Sequence, residues 1–224
     1  MLFRSMSLPI SLCMSVHNAE RNLRHCLNRC SIFVNEIIVV VDEGTDKTVE
    51  IAKEFTDNVF LMPHAEFCEP YRQLTIDLAT QDYVFILDDD ECPDDYLLNA
   101  LREMIKMPND AFRFSRKSFL RGKYVYNDPD QTRFLKRTPA LFWSNQIHVR
   151  PTGYHNLSGI MPNMDLLHYH VDVPSLEEKT ARYDRIIAEW KPYWDGVEPL
   201  PKFYKCLEAM NCPIKGTSTR DHRI

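Results

Sequence analysis

Residues 84–95 read VFILDDDECPDD: an apolar, strand-forming run that ends in Asp88, Asp89, Asp90 and Glu91, followed by Cys92-Pro93 and then Asp94 and Asp95. Four consecutive carboxylates repel one another and call for an opposite charge close by. A divalent cation with oxygen ligands is the simplest source of that charge, with Asp88 and Asp90, two residues apart, as ligands. Mg2+ or Mn2+ keeps open coordination positions and bridges substrate phosphates, so the stretch points to phosphate chemistry. The competing reading is a set of solvated acids at the start of a helix from Pro93. Asp94 and Asp95 suit that role, since acids favour a helix N-terminus. For Asp88 and Asp90 the cation is the better reading, because half-buried acids are rare without a partner.

The elements before this run must bring other chemistry to the same edge. PISLCMSV (9–16) is apolar and strand-like, and AERNLRHCLNRC (19–30) carries Leu23, Cys26, Leu27 and Cys30 at helical spacing. NEIIVVVDEG (35–44) is a continuous apolar run, as a strand buried on both faces requires. TDKTVEIAKEF (45–55) is helical, NVFLMP (58–63) a short strand, PYRQLTIDLAT (70–80) a helix, DYVFILDDD (82–90) a fourth strand and PDDYLLNALREMIKM (93–107) a helix. Strands alternating with helices in this way predict an α/β fold: an open, mostly parallel, Rossmann-like sheet flanked by helices. Ligands bind such sheets at the carboxyl ends of the strands. Three of those ends are polar: SVHN (15–18), VDEG (41–44) and LDDDE (87–91).

Beyond residue 110 the pattern changes. DAFRFSRKSFLRGKYVY (110–126) alternates, and 132–159 reads as short strands and turns, predicting antiparallel strands added to the sheet edge. SLEEKTARYDRIIAEW (175–190) is a C-terminal helix with Ser175 as N-cap and Glu178 in capping-box position. The expected organisation is one domain over 1–190 and a Pro-containing appendage over 191–224.

Composition narrows the function. The chain has 224 residues, 44% hydrophobic and 26% charged, with a net charge of −5. Nucleic acid as main substrate would call for a basic field, and none is present. With six glycines and neither GxGxxG nor GxxxxGK[ST], the dinucleotide fingerprint and the P-loop are absent. No apolar run approaches the ~20 residues that cross a bilayer, and MLFRSMSLPISLCMSV reads as the lead into a strand rather than a cleaved leader. The seven cysteines are scattered, and Cys26 and Cys30 are four apart, a helical spacing rather than a metal knuckle. Free thiols in a reducing compartment are the expectation.

Three ordered stretches carry a family resemblance: PISLCMSVHNAERNLRHCL, EIIVVVDEGTDKTVEIAKEF and YRQLTIDLATQDYVFILDDDE. Together they resemble the glycosyltransferase A (GT-A) fold, family 2, and within it the branch of lipopolysaccharide-core glucosyltransferases. That branch opens on a strand ending near Asn-x-Glu, here Asn18 and Glu20. It continues through a VVDSGSTDRTVEIA-like unit, here VDEGTDKTVEIA and one residue shorter at the turn, to an Asp-x-Asp motif on the fourth strand. The likeness covers residues 8–105 and extends weakly through DPDQTRFLKR (128–137) and LLHYHVDVPSLEEKTARY (166–183). It implies metal-dependent transfer of a hexose, glucose first, from a UDP-sugar to a glycan or glycolipid acceptor, by direct displacement with inversion.

Site residues follow from the resemblance. Ser15 and His17 would line the base pocket, and Asp42 would accept from the nucleobase edge. Arg72 would approach the diphosphate or nucleobase. Asp88 would contact the ribose or a metal-bound water, with Asp89 beside it among the donor contacts. Asp90 would hold Mn2+ or Mg2+, assisted by Asp88 and by His168, which matches a late histidine recruited to the metal. Taken singly, Asp42 is also a turn former before Gly44, Arg72 a solvated helix residue and His17 a loop histidine.

An inverting transferase also needs a general base for the acceptor hydroxyl. The resembled branch has a VHE-like segment, and QIHVRP (146–151) keeps His148 but places Val149 where the acid belongs. The base is therefore open among His148, Asp130 and Asp165. Trp143 is either an acceptor platform or a core residue. A sugar-nucleotide nucleotidyltransferase would carry a Gly-rich loop with Lys after the first strand, which SVHNAERN lacks. A degenerate glycan- or nucleotide-binding module fits poorly with intact Asp88 and Asp90. The expected location is cytoplasmic, with peripheral contact at a membrane surface left open.

Overall fold

Val39, Val40 and Val41 are buried at the centre of the second strand, as the unbroken apolar run predicts for a strand covered on both faces. The computed structural model describes residues 7–65, 69–120, 122–144 and 150–170, and helical residues 181, 184–189 and 191. Eight strands and four helices follow in the order β1 (Leu8–Val16), α1 (Leu23–Cys30), β2 (Val34–Asp42), α2 (Thr48–Lys53), β3 (Val59–Met62), α3 (Glu69–Leu78), β4 (Tyr83–Leu87), β5 (Glu91–Pro93), α4 (Asp95–Met104), β6 (Ala111–Leu120), β7 (Lys123–Lys136) and β8 (Leu157–His170). They form one sheet in the order β3-β2-β1-β4-β7-β6-β8-β5.

The first half is the parallel βαβ array that the alternation predicts. β1 lies between β2 and β4, parallel to both, with Val16 beside Val41 and Met14 beside Leu87. β3 extends the parallel set, with Met62 beside Asp42. The carboxyl ends of β1, β2 and β4 therefore share one edge, and their polar residues with them. The added strands are antiparallel where they join: β7 to β4, and β6 to β7. Leu23, Cys26, Leu27 and Cys30 of α1 are buried, so the helical spacing of that segment reports its core face. Asp94 caps α4, accepting from Leu97 N at 2.7 Å.

The stretch read as short strands and turns, 132–159, holds the last five residues of β7, the Phe142–Thr152 bridge and the first three residues of β8, and both long strands run on beyond it. β7 begins with the exposed, Pro-containing KYVYNDPD, so it lacks the alternation that marks a half-buried strand. β8 is interrupted: its pairing with β6 jumps from Ile160 to Asp165 while β6 advances from Arg113 to Ser115. The looped-out residues include Pro162 and Asn163, the latter at φ 58°. β5 was not expected at all. It is a three-residue strand that starts on Glu91, the last residue of the acidic run, and is held antiparallel to β8.

The chain divides into two compact units, Met1–Glu177 and Glu178–Ile224. Ile186 is buried within the second. Ser175, Glu178 and the tail from Pro192 lie outside the described residues. No helix of the described residues is long and apolar enough to cross a membrane.

Candidate active site

The acidic run turns sharply as β4 ends. Glu91 N donates to Asp88 O at 3.1 Å, and Asp88 N faces Glu91 Oε2 at 3.3 Å. This turn separates the four carboxylates, and arginines of the chain offset those of Asp88 and Glu91. Arg72 from α3 pairs with Asp88 Oδ1, and Arg133 from β7 reaches Asp88 Oδ2 at 3.4 Å. Arg133 also holds Glu91 through two nitrogens, and Arg116 from β6 bridges Glu91 at 3.0 Å and Asp128 at 2.9 Å. Burial alone would raise the Glu91 carboxyl, but the Arg133 and Arg116 guanidiniums hold it well below the usual carboxylate range.

Arg133 reaches this position through a β-bulge. Phe112 pairs with Phe134 and Arg113 with Thr132, which leaves Arg133 unopposed on β7. A bulge re-aims the extra side chain, here toward Glu91 and Asp88.

Asp90 takes a different partner. His168 Nε2 lies 3.0 Å from Asp90 Oδ2, and His168 Nδ1 lies 3.0 Å from Ser118 Oγ. Strand pairing sets up both contacts, because β8 places His168 beside Glu91 on one side and Ser118 on the other. A carboxylate and an imidazole in contact, with the second ring nitrogen fixed by a hydroxyl, make a metal-binding pair with its outer support in place. The residues therefore fit a divalent cation held by Asp90 and His168. Both Asp88 oxygens are engaged by guanidiniums, so Asp88 stands at the edge of that pair. No ion pair reaches Asp89 among the described residues. Burial pushes its carboxyl up to about 8, with Asp90 and Asp88 adding to the rise.

The other two strand ends build the opposite side of the edge. Ser15 is buried beside Val40. Asp42 is buried, and its Oδ1 accepts from Ala65 N at 3.0 Å. Burial raises its carboxyl above the ordinary range, against the pull of His64, the Ala65 N–H and His17. His17 Nδ1 lies 3.2 Å from Asp42 O. The turn after β1 is locked to the turn after β2: Asn18, at φ 46°, accepts from Thr45 N at 2.9 Å. A Cβ on Gly44 would sit 2.2 Å from Asn18 Oδ1, so any other residue there displaces the Asn18 side chain from its bond to Thr45 N.

The three candidate bases fare differently. His148 lies outside the described residues. Asp165 is a positioning residue: Lys117 Nζ holds its Oδ2 at 2.6 Å, and its backbone N and O bond to Asp94 at 3.1 and 3.0 Å, tying β8 to the cap of α4. Asp130 Oδ2 is held by Arg150 at 2.7 Å and Arg113 at 3.4 Å, while its buried Oδ1 has no hydrogen-bond partner. Trp143 is buried, with the Arg72 guanidinium 4.9 Å and the Arg133 guanidinium 5.9 Å from its ring. It backs the two arginines and offers no open face to a sugar.

Sequence reasoning missed His64, Arg116 and Ser118 as members of the site, and named Glu91 in the acidic run without its arginine partners. Arg116 and Ser118 share an alternating strand segment with ordinary core positions. His64 follows a strand end as His17 does, and that parallel is the one available cue.

A family model for glycosyl transferase family 2 matches residues 11–161, well over half of the chain. Among solved structures, TarS 1–349 of S. aureus aligns with a TM-score of 0.59 at 14% identity, covering 88% of this chain and 68% of that one. Glucosyl-3-phosphoglycerate synthase from Mycobacterium tuberculosis, in complex with Mn2+, UDP-glucose and phosphoglyceric acid, aligns with a TM-score of 0.51 at 17% identity, covering 80% of this chain and 77% of that one. A UDP complex of TarS 1–349 aligns at 20% identity with a TM-score of 0.46, covering 53% of this chain, which spans 38% of that chain's length. At these identities the matches with TM-scores of 0.59 and 0.51 show a shared fold. With the parallel array, the added antiparallel strands and the matched family model, the chain belongs to glycosyl transferase family 2 and has the GT-A fold.

Proposed function

We propose that this chain is a nucleotide-sugar-dependent glycosyltransferase that moves a hexose from a UDP-sugar, UDP-glucose first, to a glycan or glycolipid acceptor with inversion. The observation that supports it is the Asp90–His168 pair, supported by Ser118, at the same sheet edge as the buried Asp42 acceptor in a family 2 domain.

Asp42, fixed by Ala65 N, presents an acceptor to an N–H of the nucleobase edge. Ser15 and His17 flank it. Arg72 and Arg133 pack against Trp143 and pair with Asp88, two residues from Asp90 in the acidic run. They hold Asp88 in place and supply positive charge toward a diphosphate. Asp90 and His168 would hold Mn2+ or Mg2+, which when bound neutralises the diphosphate and eases departure of the nucleoside diphosphate. Asp130, with Oδ2 anchored and Oδ1 unpaired, takes the proton of the acceptor hydroxyl as it attacks the anomeric carbon.

The test is thermal unfolding with UDP, with and without Mn2+. At a ligand concentration of 100 times Kd the stabilisation is about 2.7 kcal/mol, which raises Tm by roughly 5–10 °C in a chain of this size. The full rise is expected when both are present. Absence of any rise with UDP and Mn2+ together rules the reading out.

A further inference from the structure

β1, β2 and β3 are neighbours in the sheet, and each ends beside one metal-ligating side chain. β1 ends at Val16 and is followed by His17, β2 ends on Asp42, and β3 ends at Met62, two residues before His64. The parallel register brings the three together at one corner of the carboxyl edge. His64 Nδ1 lies 3.1 Å from each Asp42 carboxylate oxygen, and His17 Nδ1 lies 3.8 Å from Asp42 Oδ2. The two imidazoles face each other, with centroids 4.5 Å apart and planes 31° from parallel. One donor atom from each of the three residues lies within 4.8 Å of the others.

This spacing matches a small cation. Zn–N and Zn–O bonds of about 2.0–2.1 Å in a tetrahedron set ligand atoms about 3.3 Å apart. The distances of 3.1 and 3.8 Å from Asp42 to the two rings bracket that value. The supports of a metal site are also present. Ala65 N holds Asp42 Oδ1 at 3.0 Å, and Asn18 Nδ2 lies 3.0 Å from His17 Nε2, which sets the orientation of that ring. Asp42 is 2% exposed, and the groups acting most strongly on it are His64, Ala65 N–H and His17, none of them a permanent cation. A buried carboxylate in such company gains from a bound cation. His17 and His64 are exposed, so ions reach the corner from solvent.

We infer that His17, Asp42 and His64 form a binding site for a zinc-class divalent cation, distinct from the Asp90–His168 pair. Two imidazoles and one carboxylate select Zn2+, Co2+, Ni2+ or Cu2+ over Mg2+. Occupancy withdraws the Asp42 carboxylate from the nucleobase edge, so the cation and the nucleotide compete. That consequence rests on the donor-site reading above, whereas the site itself does not.

The experiment titrates chelator-stripped protein with Zn2+ against a chromophoric chelator in excess Mg2+, and records Co2+ absorption spectra. Wild type is expected to bind one tight equivalent. His64→Ala is expected to weaken it by about 100-fold or more, at least the upper end of what losing an outer-shell partner costs. The His64 side chain is 48% exposed, so the variant keeps its fold, and His17→Ala gives an independent second reading. Bound Co2+ is expected to show visible d–d bands without the charge-transfer band of thiolate ligation. Equal Zn2+ affinity in wild type and His64→Ala, or a thiolate band, overturns the site. UDP is expected to displace the bound Zn2+. Tight His64-dependent Zn2+ binding that UDP never displaces keeps the site and overturns the competition. UDP–Mn2+ stabilisation without His64-dependent Zn2+ binding keeps the proposed function and overturns the site.

Discussion

Arg133 grips Glu91 through two nitrogens, Nε at 2.8 Å from Oε2 and Nη2 at 2.9 Å from Oε1, and both side chains are buried. A buried pair contributes little against an apolar replacement of both partners, but removal of one partner strands the other and costs about 3–5 kcal/mol. Glu91→Gln is therefore expected to lower the unfolding free energy by about that amount, read by urea denaturation. Neutralising Glu103, which pairs with Lys106 at the surface, is expected to cost less than about 1 kcal/mol. The Glu91 carboxyl is depressed in the folded state, so its stabilisation is present above the unfolded value of 4.5 and is lost as pH falls below it. The acid-unfolding limb of wild type is expected to flatten in Glu91→Gln. An unchanged limb would show that Glu91 does not carry the linkage.

Ser118 never touches the candidate metal position directly, yet its hydroxyl sets the ring of His168. Loss of such an outer partner typically weakens a metal by about 10–100-fold. Ser118→Ala is expected to raise the Mn2+ concentration needed for UDP-dependent stabilisation by that factor, and His168→Ala by more. Both variants are expected to leave stabilisation by UDP alone as in wild type. A Ser118→Ala protein with wild-type Mn2+ dependence would remove His168 from the metal site.

The parallel half of the sheet was legible because its physics is local. Unbroken runs such as Ile37–Val41 are buried on both faces, and the Leu23/Leu27 stripe is buried on one. The polar strand ends then follow from topology, so Asp42 and Asp88–Asp90 could be named in advance. The partners of those acids are not local: Arg72 and His168 follow only from the family resemblance, and Arg116 and Arg133 do not emerge from the sequence as their partners. Arg133 reaches Glu91 by way of a bulge, and His168 reaches Asp90 by way of pairing between β5 and β8, which are separated by more than sixty residues in the chain. No periodicity encodes either event. The sequence also offered a bound cation as the simplest offset for the acidic run, whereas three arginines from α3, β6 and β7 offset Asp88 and Glu91 within it.

Asp89 is the acid the arginines do not reach. Its carboxyl is pushed up to about 8 from 3.8 by burial and by Asp90 and Asp88. The folded state holds this proton more tightly than the unfolded state, so the contribution is complete at low pH and is lost as pH rises from about 4 to about 8. Asp89→Asn keeps the shape and removes the titration. In metal-free buffer, the wild-type urea midpoint is expected to fall across that window, and the variant's to fall less and lie higher at the alkaline end. Parallel pH profiles in the two proteins would show that Asp89 is charged throughout.

Asp165 is a buried acid and Asp130 a half-buried one, each beside basic side chains, but their surroundings assign them different work. Asp165 spends its carboxylate on Lys117 and its backbone on Asp94, so Asp165→Asn is expected to lower Tm with little effect on turnover per folded molecule. Asp130 keeps one oxygen without a hydrogen-bond partner while Arg150 and Arg113 fix the other. An unpaired carboxylate oxygen can take a proton from a hydroxyl brought to it, and loss of a general base lowers rates by about 10²–10⁴-fold. Asp130→Asn is expected to lower kcat by that factor with UDP–Mn2+ stabilisation intact, measured as UDP release with an acceptor present. Its amide retains a carbonyl oxygen for Arg150, so the fold is kept and the loss reports on the chemistry. Full turnover in Asp130→Asn would move the base out of β7, and a fall in UDP affinity would make Asp130 part of the donor pocket instead.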